Sequence, residues 1–337
     1  MGKRYDFPVP FGWYAVSLSR ELAPGDVKAL HYFDREIVLF RTESGEARLL
    51  DAFCPHLGAH LGHGGKVKGE HIACPFHAWE FSGEGVCQHI PYASRIPPRA
   101  DGKQTIRSYP VVERNQVVWA WYHPQDLAPS FEVEEIPEVG HPDWSEIDLY
   151  EWRVAAPVQE TAENAADAAH FVYVHTAQAI PRGEVTHEGH KRFARYVGRT
   201  PDMDEQGNID RSGTKWRDNV LETANVGPGQ TLQRFMGLFD TIQMGLPTPI
   251  NNESMHLRFL FIQRRDLNPL QQMMAKALLD EISRQVEQDM PIWEHKIYRP
   301  NPILCDGDGP IAQFRRWFSQ FYAPAPGEDV QKIRAIS

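Results

Sequence analysis

The sequence predicts an α+β protein of two units, an all-β unit over residues 1–125 and a mixed helix and strand unit over residues 126–337. Three observations predict this. The first third is a succession of short strand-like runs separated by glycine turns. A proline- and acid-rich stretch over residues 123–145 interrupts that pattern. Beyond it, long helical stretches flank a strand-like run. A chain of 337 residues also has room for about two domains.

Taken in order, the runs Glu36–Arg41, Ala47–Leu50 and Gln116–Tyr122 read as strands, with Gly45, Gly83, Gly85 and Gly102 at the turns. The proline-rich segment Ile90–Pro98 reads as a loop. Pro124, Pro129, Pro137 and Pro142 remove backbone donors and disfavour helix, which makes this stretch a connector. Gln159 to Tyr173 is alanine-rich and reads as helix. His256–Gln263 alternates Leu257, Phe259 and Phe261 on one face, as a strand does. Leu270 to Tyr298 reads as a long helix that Pro291 bends or breaks. Ile311–Tyr322 reads as a final amphipathic helix with Phe314, Trp317, Phe318 and Phe321 on its apolar side.

Composition excludes several classes. The net charge of −10 argues against a broad nucleic-acid surface. No apolar run is long enough to span a membrane. The opening MGKRYDFPVPFGWYAV lacks the apolar core of a signal peptide. Four cysteines make no disulfide framework and fit a reducing, cytoplasmic setting.

The chemistry lies in two constellations. Cys54-Pro-His56 is followed, after 17 residues, by Cys74-Pro-Phe-His77. Each half offers one thiolate and one imidazole. Two thiolates on one iron and two imidazoles on the other build a Rieske [2Fe–2S] centre, in which neutral imidazoles raise the reduction potential. The prolines stiffen both loops, and Gly58, Gly62, Gly64 and Gly65 permit a tight wrap. The competing reading is a Cys2His2 zinc site. Zinc fingers, however, group cysteine with cysteine and histidine with histidine, whereas each pair here is mixed. Cys87 and Cys305 have no such spacing and read as packing residues. His60, His63 and His71 read as surface or hydrogen-bonding groups near the loops.

The second constellation is Asn164-Ala-Ala-Asp167-Ala-Ala-His170, followed by His175. On a helix Asn164, Asp167 and His170 drift along one face. His175 then lies about 140° from His170, so both reach one metal only if the helix ends or distorts between them. Two histidines and a carboxylate form the facial triad of non-haem Fe(II) sites, which leaves positions open for O2 and substrate. Asp167 is better placed to orient a histidine than to bind metal.

In this order the residues resemble the oxygenase component of the Rieske non-haem iron oxygenases, over nearly the whole chain. The stretches Gln288–Lys296, Asp306–Gly309 and Arg315–Tyr322 are similar to the 3-ketosteroid 9α-hydroxylase branch and to the sterol 7-desaturase branch. The resemblance implies an N-terminal Rieske domain and a C-terminal helix-grip catalytic domain. It implies Asp289 as third ligand to a mononuclear Fe(II) with His170 and His175, and Asn164 close to that iron outside the ligand set. It implies O2 as co-substrate, a hydrophobic, steroid-like substrate, and hydroxylation as the reaction. Desaturation or demethylation of an aromatic ether is the alternative on the same scaffold. It also implies a homotrimer with head-to-tail packing, in which Asp167 bridges His77 of one subunit to His170 of its neighbour. The stretch Thr176–His190 keeps the Glu-Gly-His ending of the steroid enzymes and departs from them before it, in a region that lines the substrate entrance in the family.

No G-x-G-x-x-G fingerprint occurs, so electrons must come from a separate NAD(P)H-dependent reductase, with or without a ferredoxin. Lys66, Lys68, Arg95 and Arg99 offer an acidic ferredoxin a basic surface, or are simply solvated. Trp216, Phe235, Met236, Phe239, Met244, Phe259 and Phe261 are candidates for an apolar pocket or for plain core. Two further readings remain at this point. A Rieske electron carrier would have no use for the second motif, and a zinc-bound interaction module would be colourless.

Overall fold

The computed structural model describes residues 4–176, 183–202, 212, 214–237 and 239–324. The N-terminal unit is all β. Strands β1 (Gly12–Leu18), β2 (Val27–Tyr32), β3 (Arg35–Arg41), β4 (Ala47–Asp51), β5 (Lys66–Lys68), β6 (His71–Ala73), β7 (Glu80–Phe81), β8 (Cys87–His89), β9 (Ser108–Tyr109), β10 (Val111–Arg114) and β11 (Val117–Tyr122) follow in order. They form three antiparallel sheets, β1-β11-β10, β2-β3-β4-β9 and β5-β6-β7-β8. The strand runs read from the sequence lie within a residue or two of β3, β4 and β11, and Ile90–Pro98 is free of helix and strand. β1 was not legible as a strand because it is buried on both faces and carries no alternation.

The second unit is one antiparallel sheet of β12 (Asp148–Val154), β13 (Gly183–Glu188), β14 (Lys191–Pro201), β15 (Trp216–Val226), β16 (Gln230–Met236), β17 (Thr241–Pro249) and β18 (Met255–Gln263). Its spatial order is β12-β18-β17-β16-β15-β14-β13. Residues facing each other across an antiparallel ladder share a face. The row His187–Arg192–Asn225–Thr231–Gly245–Phe259–Tyr150 therefore runs along one side of the sheet. Helices cover that side. Tyr150 Oη donates to Asp280 Oδ1 (2.6 Å) and Trp152 Nε1 to Glu287 (3.5 Å) on α3 (Pro269–His295). The opposite side packs on the N-terminal unit.

Three helical expectations need correction. The span Gln159–Tyr173 is not one helix but α1 (Val158–Asn164) and α2 (His170–Tyr173) with a turn between them. Gly309 is the reason the chain fits there. A Cβ at that position would come 1.9 Å from the Ala166 carbonyl oxygen, so only glycine lets the C-terminal segment lie against the turn. Pro291 neither ends nor breaks α3. It sits one turn from the end, where the helix runs on to His295. The final helix α4 (Ile311–Phe318) is shorter than read, closing in a 3-10 turn over Ser319–Phe321.

The units are joined by β1 on β17. Thr248 Oγ1 and Arg258 Nη1 both donate to the Ala15 carbonyl, at 2.6 and 3.2 Å. The β2–β3 hairpin docks its tip as well. Phe33 and Asp34 adopt positive φ of 61° and 58°, as a type I′ turn requires, and their N–H groups donate to Pro249 and Ile250. Burial of Phe33, stacked on Tyr122 at 4.7 Å, offsets that backbone cost.

A polar chain crosses the same junction. Arg258 Nη2 donates to Tyr32 Oη (3.2 Å), Tyr32 Oη lies 2.8 Å from His256 Nδ1, and His256 Nε2 lies 3.0 Å from Glu151 Oε2. The chain fits a neutral imidazole, accepting at Nδ1 and donating at Nε2. Burial, then Arg258 and Arg153, hold the His256 pKa down to about 4 from 6.5. Between pH 6.5 and 4 the unfolded chain binds a proton that the folded chain refuses. Stability from this group is therefore complete above pH 6.5 and falls with pH through that window, by about 2–3 kcal/mol. His256→Gln is expected to flatten the fall in urea midpoint between pH 7 and pH 5. An unchanged slope would locate the acid sensitivity elsewhere.

Candidate active site

The two Cys/His pairs occupy matching turns. Cys54 follows β4, and Cys74 links β6 to β7. In the first turn the Cys54 N–H donates to the Ala59 carbonyl (2.9 Å) and Gly58 N–H to the Cys54 carbonyl (2.9 Å). In the second, Cys74 N–H donates to Trp79 (2.8 Å) and Ala78 N–H to Cys74 (3.0 Å). The fourth residue after each cysteine is left-handed, Gly58 at φ 76° and Ala78 at φ 55°. The two loops are thus one device used twice, although only the first has the glycine its geometry favours.

Both sulfurs are buried, and the His56 and His77 rings lie 4.7 Å apart at the rim. Trp79 stacks flat on His56 at 4.6 Å and donates its Nε1–H to Tyr92 Oη (2.8 Å), fixing that ring. Burial, then the neighbouring Cys74, push the Cys54 thiol up to about 12. His77 Nδ1 is buried with no hydrogen-bond partner. A buried imidazole nitrogen left idle is what a metal ligand looks like without its metal. A single tetrahedral zinc would draw its donors to within about 4 Å of one another. Among the described residues, however, the only group of three or more donors that converges within 4.8 Å is His170, His175 and Asp289. The four Cys/His donors fit a binuclear cluster better than one zinc.

That triad forms the second centre. α1 ends after Asn164, a turn follows, and α2 ends before His175, and both histidines converge with Asp289. The distortion that two histidines five residues apart require is present. Asp289 arrives from α3. His175 Nε2 lies 3.3 Å from Asp289 Oδ1, and the two imidazoles cross at 82° with centroids 5.1 Å apart. Each histidine has its other nitrogen engaged. His170 Nδ1 bonds the Asp167 carbonyl oxygen, and His175 Nδ1 lies 3.0 Å from Gln288 Oε1. Both acceptors select the Nδ1–H tautomer and leave Nε2 lone pairs aimed at one point. Asn164 Nδ2 sits between the acceptors, 3.1 Å from His170 Nε2 and 2.9 Å from Asp289 Oδ2. Burial raises the Asp289 pKa, while His175, His170 and Asn164 oppose it. Two neutral imidazoles and one carboxylate, closely spaced and dry, suit a divalent transition metal with positions left open.

Asp167 differs in detail from the expectation. Its backbone carbonyl, not its carboxylate, holds the His170 ring. The carboxylate Oδ1 accepts only from the His170 N–H at 3.4 Å. Gln288 is the residue the sequence reading missed as a functional group. Gln288→Leu is expected to weaken iron binding about 10–100-fold with the fold intact. Titration of the apo-protein with Fe(II) measures it, and wild-type affinity would show that the tautomer is set elsewhere.

The apolar pocket candidates divide. Phe235, Phe259 and Phe261 lie on the helix-covered face, whereas Met236, Met244 and Trp216 lie on the other face by strand alternation. Met244 belongs to the core shared with the N-terminal unit, and Phe239 packs with Ala275. Lys68 is paired with Glu80 at 2.9 Å, while Lys66, Arg95 and Arg99 are exposed or partly so. Residues 177–182, within the divergent stretch after His175, lie outside the described residues.

Comparison with known proteins agrees with both centres. Residues 12–110 match the Rieske [2Fe–2S] domain, and residues 120–322 match the 3-ketosteroid 9α-hydroxylase C-terminal domain. A probable 3-ketosteroid-9-alpha-monooxygenase oxygenase component of Rhodococcus rhodochrous is 32% identical over 96% of this chain and 81% of its own. A cholesterol 7-desaturase of Xenopus laevis is 31% identical over 93% of this chain and 72% of its own. The crystal structure of dicamba monooxygenase bound to dicamba shares the fold, with a TM-score of 0.71 at 20% identity over 92% of this chain and 96% of that one. With cluster loops, iron triad and both domain matches in one chain, it belongs to the Rieske non-haem iron monooxygenases, in the family that carries the 3-ketosteroid 9α-hydroxylase C-terminal domain.

Proposed function

We propose that this chain is the terminal oxygenase of a multicomponent monooxygenase that hydroxylates a steroid or steroid-like substrate with O2. One observation carries the reading. A single chain holds a two-cysteine, two-histidine cluster site and a separate His170–His175–Asp289 site, the first suited to electron delivery and the second to oxygen chemistry. The relatives named for 3-ketosteroid 9α-monooxygenase supply the substrate class. In this reading residues 1–125 form the cluster unit and residues 126–337 the catalytic unit.

Cys54, His56, Cys74 and His77 would hold the cluster, and His170, His175 and Asp289 the mononuclear iron. When bound, these groups supply single electrons and O2 activation beside a substrate C–H bond. The chain's own residues do the rest. Asp167 and Gln288 fix the histidine tautomers, Asn164 steadies Asp289, and burial of His175 and Asp289 keeps water out.

In this reading the chain packs head to tail as a homotrimer, and two exposed apolar patches support such packing. Phe53, Leu57, Phe76 and Tyr92 surround the cluster imidazoles, and Tyr173, 83% exposed, stands on α2 at the iron site. A heterologous ring buries one against the other. The half-exposed Asp167 carboxylate then faces His77 of the partner subunit and carries the electron path. Electrons come from a separate NAD(P)H-dependent reductase, with or without a ferredoxin, in the cytoplasm. No described helix is long and apolar enough to cross a membrane.

Desaturation is the second reading, favoured by the 31% identity to a cholesterol 7-desaturase. Product mass decides. Iron-loaded protein, a reductase and O2 are incubated with 3-ketosteroids, sterols and aromatic methyl ethers. A steroid gaining one oxygen is the expected result. Loss of two hydrogens supports the desaturase, and unchanged steroids beside a demethylated ether would overturn the steroid reading.

A further inference from the structure

The helix-covered face of the catalytic sheet is apolar along β18 and polar at its β13–β14 end. Arg192 on β14 is fully buried there. Its Nη1 donates to Asn225 Oδ1 at 3.3 Å, and its guanidinium carbon stands 6.0 Å from the Phe314 ring centroid. Its Nε and Nη2 are buried with no partner among the described residues. No carboxylate favours its charge. The one group that does is the Tyr196 phenol on the same strand face, by charge and by a side-chain hydrogen bond, and burial outweighs it and pulls the Arg192 pKa down. Directly across the ladder, His187 Nε2 is likewise buried and without a partner, while its Nδ1 lies 3.4 Å from Gln313 Nε2. One row further along that face, Gln243 Oε1 is a third idle atom.

A buried guanidinium without a counter-ion destabilises a fold, and an apolar side chain of similar volume would pack there at less cost. Such a group is understandable where a ligand completes it. Nε–H and Nη2–H point from the same edge of the guanidinium, and that edge is the one that grips a carboxylate with two parallel hydrogen bonds. A ketone oxygen would engage one donor and leave the charge uncompensated.

We infer that Arg192 is a specificity-determining residue whose Nε–Nη2 edge receives a carboxylate on an otherwise apolar substrate, with His187 Nε2 beside it. The inference rests on the proposed function, and it takes the substrate to lie between this sheet face and the helices. It narrows the substrate class to an apolar polycyclic acid, oriented with its acid end at β13–β14.

The test uses the holoenzyme and two matched pairs, a steroid with a side-chain carboxylate against its methyl ester, and an aromatic methyl ether carrying a carboxylate against its methyl ester. Calorimetric binding is measured for wild type, Arg192→Met and Arg192→Lys, with Tm in parallel. In at least one pair the acid is expected to bind wild type about 10–100-fold more tightly than its ester. Arg192→Met should erase that gap and hold or raise Tm. Arg192→Lys should retain part of the gap, having charge but no fork. Equal binding of acid and ester in both pairs overturns the inference while leaving the steroid reading intact. So does an Arg192→Met variant that lowers Tm and keeps the acid preference, because Arg192 would then be structural. A gap confined to the aromatic pair supports Arg192 and overturns the steroid.

Discussion

Asp289→Ala is expected to remove one iron per chain and leave the [2Fe–2S] cluster in place. Among the described residues Asp289 is the only carboxylate that converges with His170 and His175, and it is almost completely buried. Its loss leaves two neutral imidazoles, a poor set for holding Fe(II). Oxygenation should fall by about 10³-fold or more, since Lewis-acid and oxygen chemistry at iron supply several kcal/mol. The fold should tolerate the change. The carboxylate is buried at a desolvation cost, and the one hydrogen-bond donor it releases is Asn164 Nδ2, which still faces His170. Metal analysis with the visible spectrum checks both halves. Unchanged iron content would remove Asp289 from the site.

Cys74→Ser is expected to do the reverse. The cluster, its colour and its EPR signal should vanish, while iron at the triad remains. A serine hydroxyl is a poor substitute for thiolate on iron. The loop's own hydrogen bonds, Cys74 N–H to Trp79 and Ala78 N–H to Cys74, are backbone bonds and survive the substitution. They close each turn separately and do not tie the two turns together. Trp79 stacked on His56 ties the turns in part and the cluster would complete the tie, so its binding energy is also folding energy for the N-terminal unit. Tm should therefore fall as well as activity. A coloured Cys74→Ser protein would contradict the assignment of this thiolate.

How much of this was legible depends on distance along the chain. The cluster donors are local, two per turn, and their spacing carries their chemistry. His170 and His175 were readable for the same reason, including the need for a distortion between them. Asp289 lies on another helix, and one acid among 45 Asp and Glu has no local signature. A signal was nevertheless present. Ala275, Leu279, Val286 and Trp293 form the buried stripe of α3, and Asp289 falls on it where an apolar residue belongs. The break between α1 and α2 was not legible. Alanine-rich sequence favours helix, and the turn exists because tertiary contacts with His170, Asp289 and Gly309 require it. Much of the catalytic sheet was missed because β17 is buried on both faces, while β14 carries charged residues and a buried arginine, so neither shows clean alternation.

The proposed function requires two distinct metal centres in one chain. Iron and acid-labile sulfide, measured per chain on purified protein and read with the EPR of the dithionite-reduced sample, test it most directly. About three irons to two sulfides are expected, with the signal of a reduced Rieske cluster. Two irons to two sulfides would describe an electron carrier and contradict the triad, and zinc without sulfide would contradict both centres.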